Sequence, residues 1–186
     1  PREHAIRYHL TSGTSGRQPL RVLDSAKDWQ WISECWAYGF WAFGVRPEDT
    51  VFFAFSYGSF IGFWGAHYCC EKIGSLVIPS GNMTTENRVR QIVEMDVTKC
   101  ADTAGMTEIG TIMMYECSHQ PGGAHLIEDH FIEEVLDPKT QEPVGYGEIG
   151  ERVVTSFGRG FIPLIRYRTA DLVKKVPHTT CDCGRN

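Results

Sequence analysis

The strongest constraint on this chain is a repeated change of hydrophobic period in its first hundred residues, bounded each time by a cap or a glycine. Ser25 stands where a helix N-cap belongs, with Asp28 three positions later as in a capping box. Behind it Trp29, Ile32, Trp36, Phe40 and Phe43 recur at three- and four-residue spacing, which makes one helical face, and Gly44 suits the end of that helix. Val51 to Phe55 reads as a buried strand, Ser56 to Gly62 as a turn, and Phe63 to Ile73 as a second helix closed by Gly74. Leu76-Val77-Ile78 is a further strand, stopped by Pro79. Thr84 to Met95 predicts a third helix with Val89, Ile92 and Val93 turned inward. Strands separated by helices predict an α/β fold, a parallel sheet with covering helices.

The second half changes character. His125 to Asp137 and Glu148 to Phe157 read as strands joined by a turn-rich segment, Asp137 through Gly147. Ile162 to Arg168 and Leu172 to Val176 read as two more, separated by Thr169-Ala170-Asp171, so this portion is β-rich and built of hairpins. Residues 1–98 and 99–186 are therefore expected as two parts. Their join is abrupt: helix 84–95 gives way almost at once to Lys99-Cys100-Ala101-Asp102 and another Gly/Thr/Glu turn. Residues are expected to be missing between Thr98 and Lys99.

Charge and composition exclude several classes. Eighteen basic against 23 acidic side chains leave a net charge of −5, which disfavours a dedicated nucleic-acid binder. A chain 42% hydrophobic and 22% charged is ordinary globular protein. Its apolar runs are short and interrupted, so no membrane span is expected, and Pro1-Arg2-Glu3-His4 shows no secretory signal. The seven cysteines are an odd number and widely spaced, unlike a disulfide scaffold. Cys69-Cys70 in an apolar run read as buried free thiols, and a reducing cytoplasm is the expected compartment.

Two groups of residues carry chemistry of their own. Residues His9 to Pro19 form a Gly/Ser/Thr loop whose centre is Thr11-Ser12-Gly13-Thr14-Ser15-Gly16-Arg17. Two glycines allow close backbone approach, successive N–H groups can cradle an anion, and Arg17 adds a fixed cation. This is chemistry a triphosphate needs, although it lacks the Walker pattern and by composition equally describes a solvated loop. Cys117, His125, Cys181 and Cys183 offer a Cys₃His set suited to structural zinc; His119 rivals His125, and unrelated reduced cysteines are the alternative. Tyr57, Phe60, His67 and Tyr68 suit the wall of a pocket for an aryl acid, or plain core packing.

Taken in order, three segments resemble the adenylate-forming superfamily of acyl- and aryl-CoA synthetases. Thr11 to Arg17 is similar to its phosphate loop, Asp102-Thr103-Ala104-Gly105-Met106-Thr107-Glu108 to its aromatic-Gly-x-Thr-Glu loop, and Arg166-Tyr167-Arg168-Thr169-Ala170-Asp171 to its Tyr-Arg-Thr-Gly-Asp segment. Ser56-Tyr57-Gly58, Gly65-Ala66-His67-Tyr68 and His125 through Phe131 are closest to the phenylacetate–coenzyme A ligase branch. The resemblance implies the large domain of such an enzyme, joining a carboxylate to ATP with loss of pyrophosphate and then passing the acyl group from AMP to coenzyme A. It implies that Thr11, Ser12, Gly13, Thr14, Ser15, Gly16 and Arg17 hold the β- and γ-phosphates and that Thr107 meets the α-phosphate. Glu108 would help ligate Mg²⁺, Asp102, Gly105 and Met106 would lie along the nucleotide, and Asp171 would hold the ribose hydroxyls. Thr14, Arg17, Thr107 and Glu108 are the expected catalytic groups. Small-molecule acid, ATP and coenzyme A are the expected partners, without nucleic acid or membrane; a homodimer is open where large apolar faces remain.

There are departures from the pattern. Ala104 stands where many relatives carry an aromatic that stacks on adenine. Arg17 replaces a more usual Lys, and Ala170 a common Gly, so the turn before Asp171 must tolerate a Cβ. The resemblance also implies a hinge and a small lid carrying a lysine beyond Asn186. Without the lid, these 186 residues are expected to bind nucleotide poorly or turn over slowly. An adenylyltransferase that makes no thioester, or a non-catalytic zinc-stabilised module, are the competing readings.

Overall fold

The computed structural model describes residues 2–11, 18–99, 102–120, 122–158, 160, 163–177 and 181–185. After a short 3-10 turn, β1 (Ala5–Leu10) pairs antiparallel with β2 (Arg21–Ser25), so the glycine–hydroxyl segment connects two paired strands. Then come α1 (Ala26–Phe43), β3 (Thr50–Phe53), α2 (Ile61–Ile73), β4 (Leu76–Pro79) and α3 (Thr85–Glu94). The second half adds β5 (Thr103–Met106), β6 (Thr111–Tyr115), β7 (His125–Leu126), β8 (Phe131–Leu136), β9 (Ile149–Ser156) and β10 (Tyr167–Lys174).

The helix boundaries follow local chemistry. Ser25 Oγ accepts from the Asp28 amide at 3.2 Å, and the Asp28 carboxylate accepts from the Ser25 amide at 2.9 Å, closing the expected capping box. Such a cap is worth about 1 kcal/mol. Gly44 and Gly74 end α1 and α2 in the left-handed region, at φ 103° and 97°, where a Cβ is penalised. Around α2 the chain makes a crossover: β3 and β4 pair parallel, Thr50 opposite Leu76. The remaining described pairings are antiparallel, in the orders β5-β6-β7 and β10-β9-β8.

One core joins the two halves. Trp29, Ile32, Cys35 and Trp36 of α1 meet Ala66, Cys69 and Cys70 of α2, and Ile112, Met113 and Tyr115 of β6. The seam is tight because glycines face it. A Cβ on Gly65 would lie 2.4 Å from Trp36 Nε1, and one on Gly39 would lie 2.8 Å from Ile112 Cδ1. Burial pushes the Cys35 thiol up to about 12, and Cys69 well above its ordinary range, so both are inert packing groups.

Several expectations are corrected. His9 and Leu10 belong to β1 rather than to the loop, which is shorter than His9–Pro19. Pairing with β2 orders them; the strand does alternate Ile6, Tyr8 and Leu10 with Arg7 and His9, but the face carrying Ile6 and Tyr8 is the more exposed one. Helix α2 starts at Ile61. Val89 and Val93 do not point inward: they are 54% and 73% exposed, and no residue of α3 is buried. The expected strand 125–137 is broken into β7 and β8 by a turn closed by His130 N to Ile127 O at 3.0 Å. The expected strand 172–176 merges into β10, which starts at Tyr167 and bulges between Arg168 and Leu172. Ala170 sits in that bulge at φ 62°, so its Cβ is tolerated under strain. Relief of that strain, less the added chain entropy of glycine, predicts that Ala170→Gly raises unfolding stability by roughly 0.5–1 kcal/mol. The denaturant midpoint reads this directly, and a lower midpoint would contradict it.

Candidate functional site

The stem of the glycine–hydroxyl loop is closed by Thr11. Its amide donates to Leu20 O at 3.1 Å, and its Oγ1 accepts from the Leu20 amide at 2.8 Å. Ser12, Gly13, Thr14, Ser15, Gly16 and Arg17 lie outside the described residues. Beside the stem, Ser59 O accepts from the Leu10 amide at 3.3 Å and lies 3.2 Å from His9 Nδ1. The mouth of the loop is thus tied to the aromatic segment 57–60.

The Asp102–Glu108 segment is mostly strand. Asp102 and Glu116 bracket its start: Glu116 N donates to Asp102 O, and Asp102 N to Glu116 Oε2, both at 3.0 Å. Backbone N–H groups of Gly122 and Asp102 hold the Glu116 carboxyl below its usual range. Past β5 the chain turns through Thr107 and Glu108, and Gly110 N closes the turn on Met106 O at 3.0 Å. Thr107 is buried and Glu108 half-buried. Thr111 Oγ1 donates to Ile32 O at 3.2 Å, fixing this turn against α1. Gly105 has a steric reason: an added Cβ would lie 2.4 Å from the backbone oxygen of Thr111.

Asp171 projects from the β10 bulge on a different sheet and is exposed. Thr169 Oγ1 organises the bulge, donating to Arg152 O and accepting from Asp171 N, both at 3.1 Å. Arg168 and Glu151 form an ion pair beneath it, which holds the Glu151 carboxyl below its ordinary range.

A cavity of about 850 Å³ opens between α1, the start of α2 and β5. Phe55, Phe60 and Phe63 line one side, and Gly105, Met106 and Thr111 the other. Phe60 therefore shares a cavity with two residues expected along the nucleotide. Tyr57, His67 and Tyr68 are not on its wall; they stack together around Trp64, with the Tyr57 and Trp64 ring centroids 4.8 Å apart. Arg7 donates to Tyr68 Oη at 3.2 Å and lies over its ring. Burial raises the Tyr57 phenol above its usual range, helped by Cys70 and Glu71.

Cys117, His125, Cys181 and Cys183 do converge, all four ligand atoms lying within 4.8 Å of one another. Cys117 Sγ is 3.5 Å from Cys181 Sγ and 3.4 Å from His125 Nε2; Cys183 Sγ is 3.1 Å from Cys181 Sγ and 3.3 Å from His125 Nε2. Ligand bonds of about 2.3 Å to sulfur and 2.0 Å to nitrogen put tetrahedral neighbours roughly 3.5–3.8 Å apart, so the set fits one zinc ion with little expansion. His125 arrives because β7 pairs with β6, opposite Tyr115. Arg185 donates to Tyr115 Oη at 2.9 Å and pins the chain end there. Ser59, Glu116 and Arg185 were not expected as supports. Two act through backbone or distant contacts that no local pattern announces, while Arg185 follows the Cys-x-Cys-Gly run directly.

With this geometry the chain can be set beside known proteins. No protein-family model matches it. It is 30% identical to the phenylacetate–coenzyme A ligase of Thermus thermophilus over 100% of this chain and 53% of that protein. The Pseudomonas putida and Escherichia coli enzymes of the same name are 29% and 28% identical, each over 96% of this chain and 53% of theirs. The chain spans about half the length of these curated relatives. The Thermus alignment runs over 238 positions against the 186 residues here, a difference of 52. Among solved structures, 2-hydroxyisobutyryl-CoA ligase in complex with 2-HIB-AMP and CoA superposes at TM-score 0.85 and 21% identity, over 100% of this chain and 55% of that one. The N-terminal subdomain of Klebsiella oxytoca NpsA gives 0.64 and 15%, over 91% and 59%. The fold is that of the adenylate-forming ligases. Within them, the chain's sequence similarity is to the phenylacetate–coenzyme A ligase branch.

The close approach at Gly105 predicts that Gly105→Ala, which must push β5 off β6, destabilises the protein by about 1–3 kcal/mol. Thermal or denaturant unfolding measures it; an unchanged midpoint would show that the two strands are not held this tightly.

Proposed function

We propose that this chain is the adenylate-forming part of an AMP-forming acid–thiol ligase, which activates an aryl carboxylate with ATP and then transfers the acyl group to coenzyme A. The observation that carries this reading is the shared cavity: an aromatic wall at Phe60 and Phe63 faces Gly105 and Met106, the strand that leads into Thr107 and Glu108. An aryl acid held there has its carboxylate directed toward the turn where the α-phosphate is expected. Thr11 to Arg17 supply amides, hydroxyls and a cation for the β- and γ-phosphates. Thr107 donates to the α-phosphate, and Asp171 accepts from the ribose hydroxyls. Glu108 is the residue to hold Mg²⁺, a hard cation suited to one carboxylate plus phosphate oxygens. Bound there, the ion would neutralise charge growing on the phosphate oxygens. Donors fixed in advance around that charge are the main source of rate in such a site.

Tyr57, His67 and Tyr68 are proposed to back the acid pocket rather than line its cavity, Tyr57 packing on Phe53 and Phe55, which do line it. The Cys117/His125/Cys181/Cys183 cluster is proposed as a closed structural zinc site, distinct from the chemistry. All four positions are protein ligands, so no open position remains for a reacting water. The abrupt join at Thr98–Lys99 is read as the place of an internal segment that longer relatives carry; the 52 unmatched positions support this.

The expected result is slow pyrophosphate release from ATP that requires both Mg²⁺ and an aryl carboxylate, with Glu108→Gln lowering it about 10²–10³-fold. Release independent of the acid, or indifferent to Glu108→Gln, contradicts the reading. Appearance of an acyl-CoA by mass spectrometry separates a ligase from an adenylyltransferase. For the metal, elemental analysis of freshly purified protein should find about one zinc per chain, and Cys183→Ser should lower both the zinc content and the melting temperature. Zinc-free protein of unchanged stability would remove the site.

A further inference from the structure

Strand β3 is bonded along one edge only. Leu76 N donates to Asp49 O at 3.0 Å and Ser80 N to Phe53 O at 3.1 Å, so Asp49, Val51 and Phe53 turn their backbone groups toward β4. Thr50 and Phe52 turn theirs the other way, and among the described residues no strand lies there to meet them. The strand is correspondingly bare, with Thr50 exposed and Val51 and Phe52 half-buried. The two edges of the pair differ in kind. On the outer edge of β4 the backbone of Val77 and Pro79 faces out, and Pro79, which has no N–H, blunts it. The edge of β3 has no such guard, and all of Thr50–Phe53 lies on the wall of the 850 Å³ cavity.

Two further features lead to the same edge. Residues 95–99, which follow α3, line that cavity with β3. A chain that leaves β4, passes through α3 and rejoins the sheet beyond β3 makes a crossover, which brings the next strand in parallel. Helix α3 meanwhile keeps Val89 and Val93 exposed, as a covering helix does when its sheet stops short. The curated relatives carry enough chain to continue the sheet. The Thermus alignment runs 52 positions beyond this chain, against about five or six residues for an ordinary strand.

We propose that the free edge of β3 is a strand-acceptor site: it takes an extended apolar segment, parallel to β3 and hydrogen-bonded to Thr50 and Phe52, and its occupant is the internal segment that the curated relatives carry. This rests on the reading of the Thr98–Lys99 join. A strand set inside a parallel sheet is covered on both faces, so the occupant is a continuous Val/Ile-rich run. Main-chain bonds supply its affinity and side chains its fit. The acid is not displaced. Its aromatic wall lies past the carboxyl end of β3, where ligands of open α/β sheets sit: Phe55 follows the strand, and Phe63 stacks on Phe55 with ring centroids 4.0 Å apart.

The test uses the chain as it is. Residue-resolved amide exchange should find Thr50 and Phe52 fast, and Val51 and Phe53 slow. Peptides of about eight residues, tiled through the part of the Thermus ligase that aligns with no residue of this chain, are then titrated in beside a designed strand, Lys-Val-Ile-Val-Thr-Val-Lys. One tile should bind saturably and slow Thr50 and Phe52 about tenfold or more, leaving Val51 and Phe53 unchanged. N-methylation of alternate residues of that tile is the control. The set facing β3 should lower affinity about tenfold or more, each lost bond being worth about fivefold, and the other set should leave it within about twofold. Equal loss from both sets, or binding that leaves Thr50 and Phe52 fast, overturns the site. So does slowing that rises with the chain's own concentration before any peptide is added, which gives the edge to a second copy. A designed strand that pairs when no tile does overturns the occupant and counts against the reading of the join. If neither pairs, the acceptor site is overturned and the reading of the join stands.

Discussion

The seam along α1 is what the rest of the molecule depends on. One face of this helix carries Trp29, Ile32, Cys35 and Trp36 into the core, with Ile32 and Cys35 fully buried. Burying each large apolar side chain contributes about 1.5–3 kcal/mol. The contact is close because Gly39 and Gly65 leave room for Ile112 and Trp36. Through that seam α1 touches β6, whose first residue bonds to Ile32, and so fixes the turn carrying Thr107 and Glu108. At its other side α2 is seated by the same face, and α2 carries the loop with Phe60. The helix thereby sets the distance between the aromatic wall and the Asp102–Glu108 segment.

From this follows a division of labour. The β1–β2 stem is tied to the aromatic loop through Ser59, the β5–β6 turn to α1 through Thr111, and loop and turn line one cavity. The β8–β9–β10 sheet brings Asp171 on a strained bulge, braced by Thr169 and by the ion pairs Arg168–Glu151 and Arg166–Glu134. The cysteine–histidine cluster brings Cys181 and Cys183 beside His125 of β7 and Cys117, just past β6.

Elements with strong local chemistry were legible in the sequence. The capping box of Ser25 and Asp28, the glycine ends at Gly44 and Gly74, and the strand stopped by Pro79 all depend on neighbours a few residues away. So was the Cys₃His set, because ligand type narrows the choice even when spacing does not. The rest depended on pairing across long distances. The β1 strand is held by Arg21–Ser25 beside it, and its alternation of Ile6, Tyr8 and Leu10 with Arg7 and His9 misleads about burial, since Ile6 and Tyr8 are exposed. The apolar stripe of α3 suggested burial, but a stripe states only what a helix could bury, and no residue of α3 is buried. Ala170 was the converse: a residue unsuited to its turn pointed to strain before any angle was known, and φ 62° bears that out.

The central claim is that three separate stretches of sequence serve one nucleotide. Hydrogen–deuterium exchange with and without an aryl-sulfamoyl-adenosine, a stable mimic of an acyl adenylate, tests it most directly. The account predicts simultaneous protection of residues 10–20, 102–110 and 167–173 in a single saturable step. Protection confined to one of these stretches, or appearing only elsewhere in the chain, would contradict it.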